Sequence, residues 1–131
     1  MADRSERNAQ VGDLALVRPP SYALELGCVP HPNYQLIKRV VAGAGQRVCI
    51  QGLRLLIDGQ DRGLGHVKNR HGQWVQPSWS GCQTLGPHQV FVLGEHPRSC
   101  DSRIFGPLPQ AAILAKAYPI WLWSQDQGAP L

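Results

Sequence analysis

Glycine and proline punctuate this 131-residue chain from end to end. The 14 glycines and 11 prolines separate short runs rich in β-branched residues. Short runs bounded by turn signals read as strands, so the fold class is all-β with many short strands. The length suits one domain. It also buries a real core without help from metals or a dense disulfide framework.

Asp13–Arg18 reads as the first strand, stopped by Pro19 and Pro20. Two prolines and a glycine make residues 21–32 a loop. Asn33–Ala42 is a long strand, ended by a turn at Gly43 and Gly45. Gln46–Gln51 and Leu53–Asp58 are short apolar strands. Asp58-Gly59 is a hairpin signal, because both residues tolerate positive φ. Residues 59–89 are rich in Gly, His and Trp, with weak periodicity, and read as a loop-rich hairpin insertion. Gln89–Leu93 is a strand, and residues 94–109 form a structured loop. Ala111–Trp123 reads as a strand, since Pro119 and the β-formers around it oppose a helix. The organisation expected is a flexible arm over residues 1–10, a single domain over 11–123 and a disordered tail over 124–131.

The formal charge is +4, mildly basic. Its one concentration is Arg62, His66, Lys68, Arg70 and His71, in a Gly-rich stretch that reads as a solvated loop. A nucleic-acid groove interleaves basic residues with stacking aromatics, and only Trp74 is near, so no nucleic-acid partner is expected. Cys28, Cys49, Cys82 and Cys100 contain no CxxC pair, and no histidine has ligand spacing, so neither a metal nor any cofactor is expected. The four cysteines allow three full pairings, suit an oxidising compartment, or are four small buried apolar groups. The N-terminal MADRSERNAQ is polar, with no signal-peptide core. No apolar run approaches the ~20 residues that span a bilayer, so the chain as it stands is expected to stay in the compartment where it is made.

Three segments carry chemistry. The first is Gly12-Asp13-Leu14-Ala15-Leu16-Val17. The second is Leu36-Ile37-Lys38-Arg39-Val40-Val41-Ala42-Gly43-Ala44-Gly45-Gln46. The third runs from Val92 to Pro109 through Gly94-Glu95-His96, Ser99-Cys100-Asp101-Ser102-Arg103 and Gly106-Pro107. On a strand Lys38 shares a face with Leu36, Val40 and Ala42, while Arg39 shares the other with Ile37 and Val41. Periodicity alone leaves open which base is buried, and a lysine there also fits a strand edge at the surface. Ser99, Asp101, Ser102 and Arg103 also fit a polar turn that satisfies its own backbone.

In order and separation the three segments resemble the boxes of the type I signal (leader) peptidases. Val17-Arg18-Pro19-Pro20 is closer to the conjugative-transfer (TraF-type) propilin peptidase branch. The resemblance covers roughly residues 11–123. It implies antiparallel sheets forming a distorted barrel or sandwich, and a serine endopeptidase that removes signal or propilin peptides by a serine–lysine dyad. Lys38 matches the general base, which must be a free amine and so must lie well below its ordinary pKa of ~10.4. Burial does this by penalising the charged form. Ser99 matches the serine that orients the lysine; a neutral partner suits a neutral amine. Asp101 and Arg103 match an ion pair bracing the loop. The substrate is expected as an extended strand beside the Asp13–Arg18 and Asn33–Ala42 edges, with small Ala-x-Ala side chains before the scissile bond. Location is expected at the periplasmic face of the inner membrane. Cysteines at similar places in conjugation-type relatives imply a Cys49–Cys82 disulfide.

The chain departs from the family at Gly45-Gln46 in place of Gly-Asp, at Gly94-Glu95-His96 in place of Gly-Asp-Asn, and at Cys100 between Ser99 and Asp101. The larger departure is the nucleophile. The family carries it before the first box, just after a membrane anchor. Ser5 is the only serine before Gly12; its charged neighbours read as a solvated arm, yet its distance from Gly12 is close to the housekeeping spacing of the family. The nucleophile is expected either at Ser5 or, with the anchor, upstream of Met1, and the second requires an open reading frame there. The alternative is a non-catalytic homologue serving as a binding or assembly module of a secretion or conjugation apparatus. The self-cleaving domain of an SOS-type repressor shares the dyad, but no cleavage-site segment or DNA-binding helix pair is visible. Trp121 and Trp123 alternate, either to dock at a membrane interface or to pack in the core.

Overall fold

The computed structural model describes residues 9–69, 71–96 and 99–117. Two antiparallel sheets make up the fold. Strands are β1 (Leu14–Val17), β2 (Leu36–Ala42), β3 (Arg47–Gln51), β4 (Arg54–Ile57), β5 (Gln60–Leu64), β6 (Gly81–Thr84), β7 (Gln89–Leu93), β8 (Leu108–Pro109) and β9 (Ile113–Ala117). The first sheet has the order β8-β7-β2-β1-β9, and the second β5-β4-β3-β6. The all-β expectation holds: β1–β4, β7 and β9 fall inside the spans read as strands, β5 and β6 lie in the expected hairpin insertion, and β8 corrects the end of the span read as a loop, where Leu108 pairs with Val90. Asp58 and Gly59, with φ of 50° and 81°, make the turn between β4 and β5, as two positive-φ residues allow.

β2 and β7 sit where the two cores meet. Val40, Val90 and Val92 belong to the first core, with Ala15, Val17 and Ile113. Val41, Ala42 and Phe91 belong to the second, with Val48, Leu55 and Ile57. A register shift against β7 between Val40 and Ala42 lets two consecutive residues of β2 enter the same core. Both strands are thus apolar on both faces.

Within the loop expected over residues 94–109 lies a four-residue helix, α1 (Ser102–Phe105). Ala9, inside the span read as an arm, is buried in the first core. Ser5, Trp121, Trp123 and the tail over 124–131 lie outside the described residues. Among the described residues no helix is long and apolar enough to cross a membrane.

Candidate active site

Lys38 lies on β2 opposite Ala15 of β1, and only 8% of it is exposed. Burial is the main force on its amine and holds its pKa below the ordinary 10.5. The Asp101 carboxylate pulls it back up, and the Arg103 guanidinium adds to the lowering. The neighbouring base has the opposite fate. Arg39 is half-exposed, donates to the Gly12 carbonyl at 2.7 Å and meets Glu95 at 3.6 Å.

Gly94 shows how Lys38 meets Ser99. A Cβ at position 94 would stand 2.5 Å from Ser99 Oγ and 2.8 Å from Lys38 Nζ. The amine and the hydroxyl therefore converge on one point beside the Gly94 backbone, and only glycine leaves room for both. Gly94 N–H is tied down in turn, donating to Asp101 Oδ2 at 2.9 Å.

Asp101 is the organising residue of this loop. It is fully buried and caps α1 by accepting from Arg103 N–H at 3.0 Å. Arg103 grips it side-on, Nε to Oδ1 at 2.9 Å and Nη2 to Oδ2 at 2.7 Å, the bidentate geometry that suits a guanidinium. Ser102 Oγ accepts from Val92 N–H at 2.9 Å, fixing α1 to β7. Carbonyls of α1 are satisfied from outside: Trp79 Nε1 donates to the Ser102 carbonyl, Ser78 Oγ to Ile104, and Tyr22 Oη to Phe105.

Lys38 and Ser99 open onto a cleft of about 710 Å³. One wall is β2 itself. β7 ends at Leu93, opposite Arg39, so among the described residues no strand continues the sheet beside Leu36–Lys38 on that side. β1 offers no such edge. It lies between β2 and β9, so the docking edge expected at Asp13–Arg18 is already filled by β9. The lining also includes Lys68, Asn69 and His71. Two members of the expected solvated basic loop, Lys68 and His71, are exposed as expected and also line the cleft. His66 turns elsewhere, edge-on to Trp74; Arg62 lies exposed on β5, and Arg70 is outside the described residues.

Two disulfides hold these parts together. Cys49–Cys82 joins facing positions of β3 and β6, the pairing expected. Cys28–Cys100, missed from sequence, pins the loop after β1 to the residue between Ser99 and Asp101. The signal available was the unusual cysteine inside the third box. Gly94, Trp79 and the hairpin wall were missed as well, because each acts through contacts distant in sequence.

A family model described as signal peptidase, peptidase S26, matches residues 2–123. Over 131 aligned residues the chain is 33% identical to the conjugal transfer protein TraF of Agrobacterium fabrum, covering 91% of this chain and 73% of that protein. It is also 33% identical to a probable conjugal transfer protein TraF of Sinorhizobium fredii, over 88% of this chain and 66% of the relative. A signal peptidase I crystal structure from Enterococcus faecalis superposes with a TM-score of 0.52 at 23% identity, covering 85% of this chain and 97% of the other. That last likeness concerns the fold.

Proposed function

The chain belongs to the signal peptidase family, peptidase S26, and from that premise we propose that it works as a serine-type endopeptidase on signal or propilin peptides. The observation that carries the reading is the buried, pKa-lowered amine of Lys38 converging with Ser99 over Gly94. A serine hydroxyl from the segment before Ala9 attacks the scissile carbonyl, and Lys38 Nζ takes its proton. Within this chain Ser5 is the candidate. Ser99 orients the amine without stabilising its charged form, as a carboxylate would. Asp101 and Arg103 neutralise each other and hold the loop that presents Ser99. Main-chain donors beside the attacking serine stabilise the oxyanion. The protonated lysine then gives its proton to the leaving amine, and water repeats the cycle on the acyl-enzyme.

The substrate lies extended along the open edge of β2 at Leu36–Lys38, pairing its backbone as an added strand. The conjugal transfer names of the relatives favour a propilin. The enzyme acts at the periplasmic face of the inner membrane, held there by an anchor before the first box, in keeping with the two disulfides.

The test is cleavage of a propilin-like peptide bearing an Ala-x-Ala site by the product of the complete reading frame. Lys38→Ala should abolish cleavage and Ser99→Ala should reduce it; Ser5→Ala identifies or clears that serine as nucleophile. Cleavage that survives Lys38→Ala would refute Lys38 as the base, and absence of cleavage from the complete product would point instead to a non-catalytic assembly module.

A further inference from the structure

A peptide added to the edge of β2 is held there by backbone groups that every peptide shares. Discrimination therefore falls to the rest of the lining, the hairpin described over residues 67–69 and 71–75. We propose that this hairpin, through Lys68 and His71, which line the same cleft as Lys38, selects extended peptides carrying a carboxylate close to the scissile bond. The inference rests on the peptidase reading above and adds the substrate class to it.

The hairpin is built to present these groups. Val67 is buried in the first core, and Val75 N–H donates to its carbonyl at 2.8 Å. The turn is closed by Asn69, whose N–H donates to the Gln73 carbonyl at 2.8 Å and whose Oδ1 accepts from His71 and Gln73 N–H at 2.9 and 3.1 Å. Lys68 Nζ rests 4.7 Å from the centre of the Trp74 ring, which restrains the ammonium on its stem. Groups held in place before binding cost less to order when a partner arrives.

The charge balance of the cleft points the same way. Among the described residues no Asp or Glu lines it. Two acids near it are already engaged, Asp101 by Arg103 and Glu95 by Arg39. A substrate carboxylate would thus meet positive charge on the hairpin, from exposed groups that no acid of the described lining neutralises. The arrangement also protects the base. A carboxylate left beside Lys38 would stabilise its ammonium and disable it, whereas pairing on the hairpin draws the negative charge away.

The experiment is fluorescence anisotropy with labelled propilin-like peptides that carry Glu or Gln at each of the positions flanking an Ala-x-Ala site. At the favoured position the Glu peptide should bind about fivefold tighter than its Gln twin. That preference should fade at high salt, as the Debye length falls from about 10 Å at 0.1 M to about 3 Å at 1 M. A Lys68→Gln/His71→Gln variant should bind both peptides equally, while Lys68→Arg keeps the preference. Equal binding of the Glu and Gln series to the unmodified protein, or a preference that persists in the double variant, overturns the inference and leaves the peptidase reading standing. Failure to bind any of these peptides overturns both.

Discussion

Gly94→Ala is the sharpest probe of the site, because it adds a single methyl group where Lys38 and Ser99 meet. The backbone does not resist the change, since φ at Gly94 is not positive. The obstacle is space. The new Cβ would stand 2.5 Å from both Cβ and Oγ of Ser99 and 2.8 Å from Lys38 Nζ. Carbon contacts settle near about 3.5 Å, so these groups must retreat by about 1 Å. Lys38 Nζ ends a flexible chain, but Ser99 Cβ is fixed by a backbone that Cys100 ties to Cys28, so the hydroxyl and the amine must separate. Overpacking of this kind costs about 1–3 kcal/mol, or roughly 4 °C of Tm per kcal/mol for a domain of this size. A misplacement of about 1 Å in a catalytic pair costs about 100-fold in rate. The assay pairs thermal unfolding with kcat on the propilin-like peptide. Gly86→Ala is the control, because its Cβ would meet only the mobile end of Gln89, at 3.4 Å; it should change kcat less than twofold. A folded Gly94→Ala protein with kcat within twofold of the parent would refute the convergence of Lys38 and Ser99 as the basis of catalysis.

The free amine of Lys38 is the proposed base, so cleavage should rise with pH through a pKa below the ordinary 10.5, and a pH–rate profile checks this. The folded state holds that pKa below its unfolded value, so Lys38 penalises folding at low pH, and the penalty fades as pH climbs from the folded pKa to 10.5. Lys38→Met should therefore be more stable than the parent at neutral pH and lose this pH dependence, gaining about 1.4 kcal/mol for every tenfold by which burial weakens proton binding at the amine; equal unfolding curves would contradict burial as the cause. Arg103→Met leaves the fully buried Asp101 without its partner and should cost about 3–5 kcal/mol in urea denaturation. The native oxidised protein should show no free thiol to Ellman's reagent, and a Cys28→Ser/Cys100→Ser variant should lose about 4 kcal/mol, the loop-closure value for a separation of 72 residues.

Strands were legible because their signals are local: apolar runs, the Asp58-Gly59 turn, and prolines where strands stop. α1 was not, for a helix of four residues has no period to read. It exists because Asp101 caps it and because Tyr22, Ser78 and Trp79 reach in from other parts of the chain to satisfy its carbonyls. The Lys68–His71 hairpin was invisible for a similar reason. Its composition is that of a solvated loop, and only the fold brings it to the cleft that β2 lines.

Lys38 itself shows where a pattern argument ends. Alternation places Lys38 and Arg39 on opposite faces of β2, and a strand with one wet face would have named the buried base at once. β2 has no wet face along most of its length; Val40 enters one core, and Val41 and Ala42 the other. Apolar neighbours therefore surround both bases equally in sequence. What separates them is the point where β7 stops. Opposite Leu93, Arg39 comes within reach of Glu95 and the Gly12 carbonyl and spends its charge there. One residue earlier no strand covers β2 on that side. The chain leaving β7 folds back through Gly94 and Ser99 onto Lys38, and burial without a dedicated counter-ion lowers the pKa of its amine.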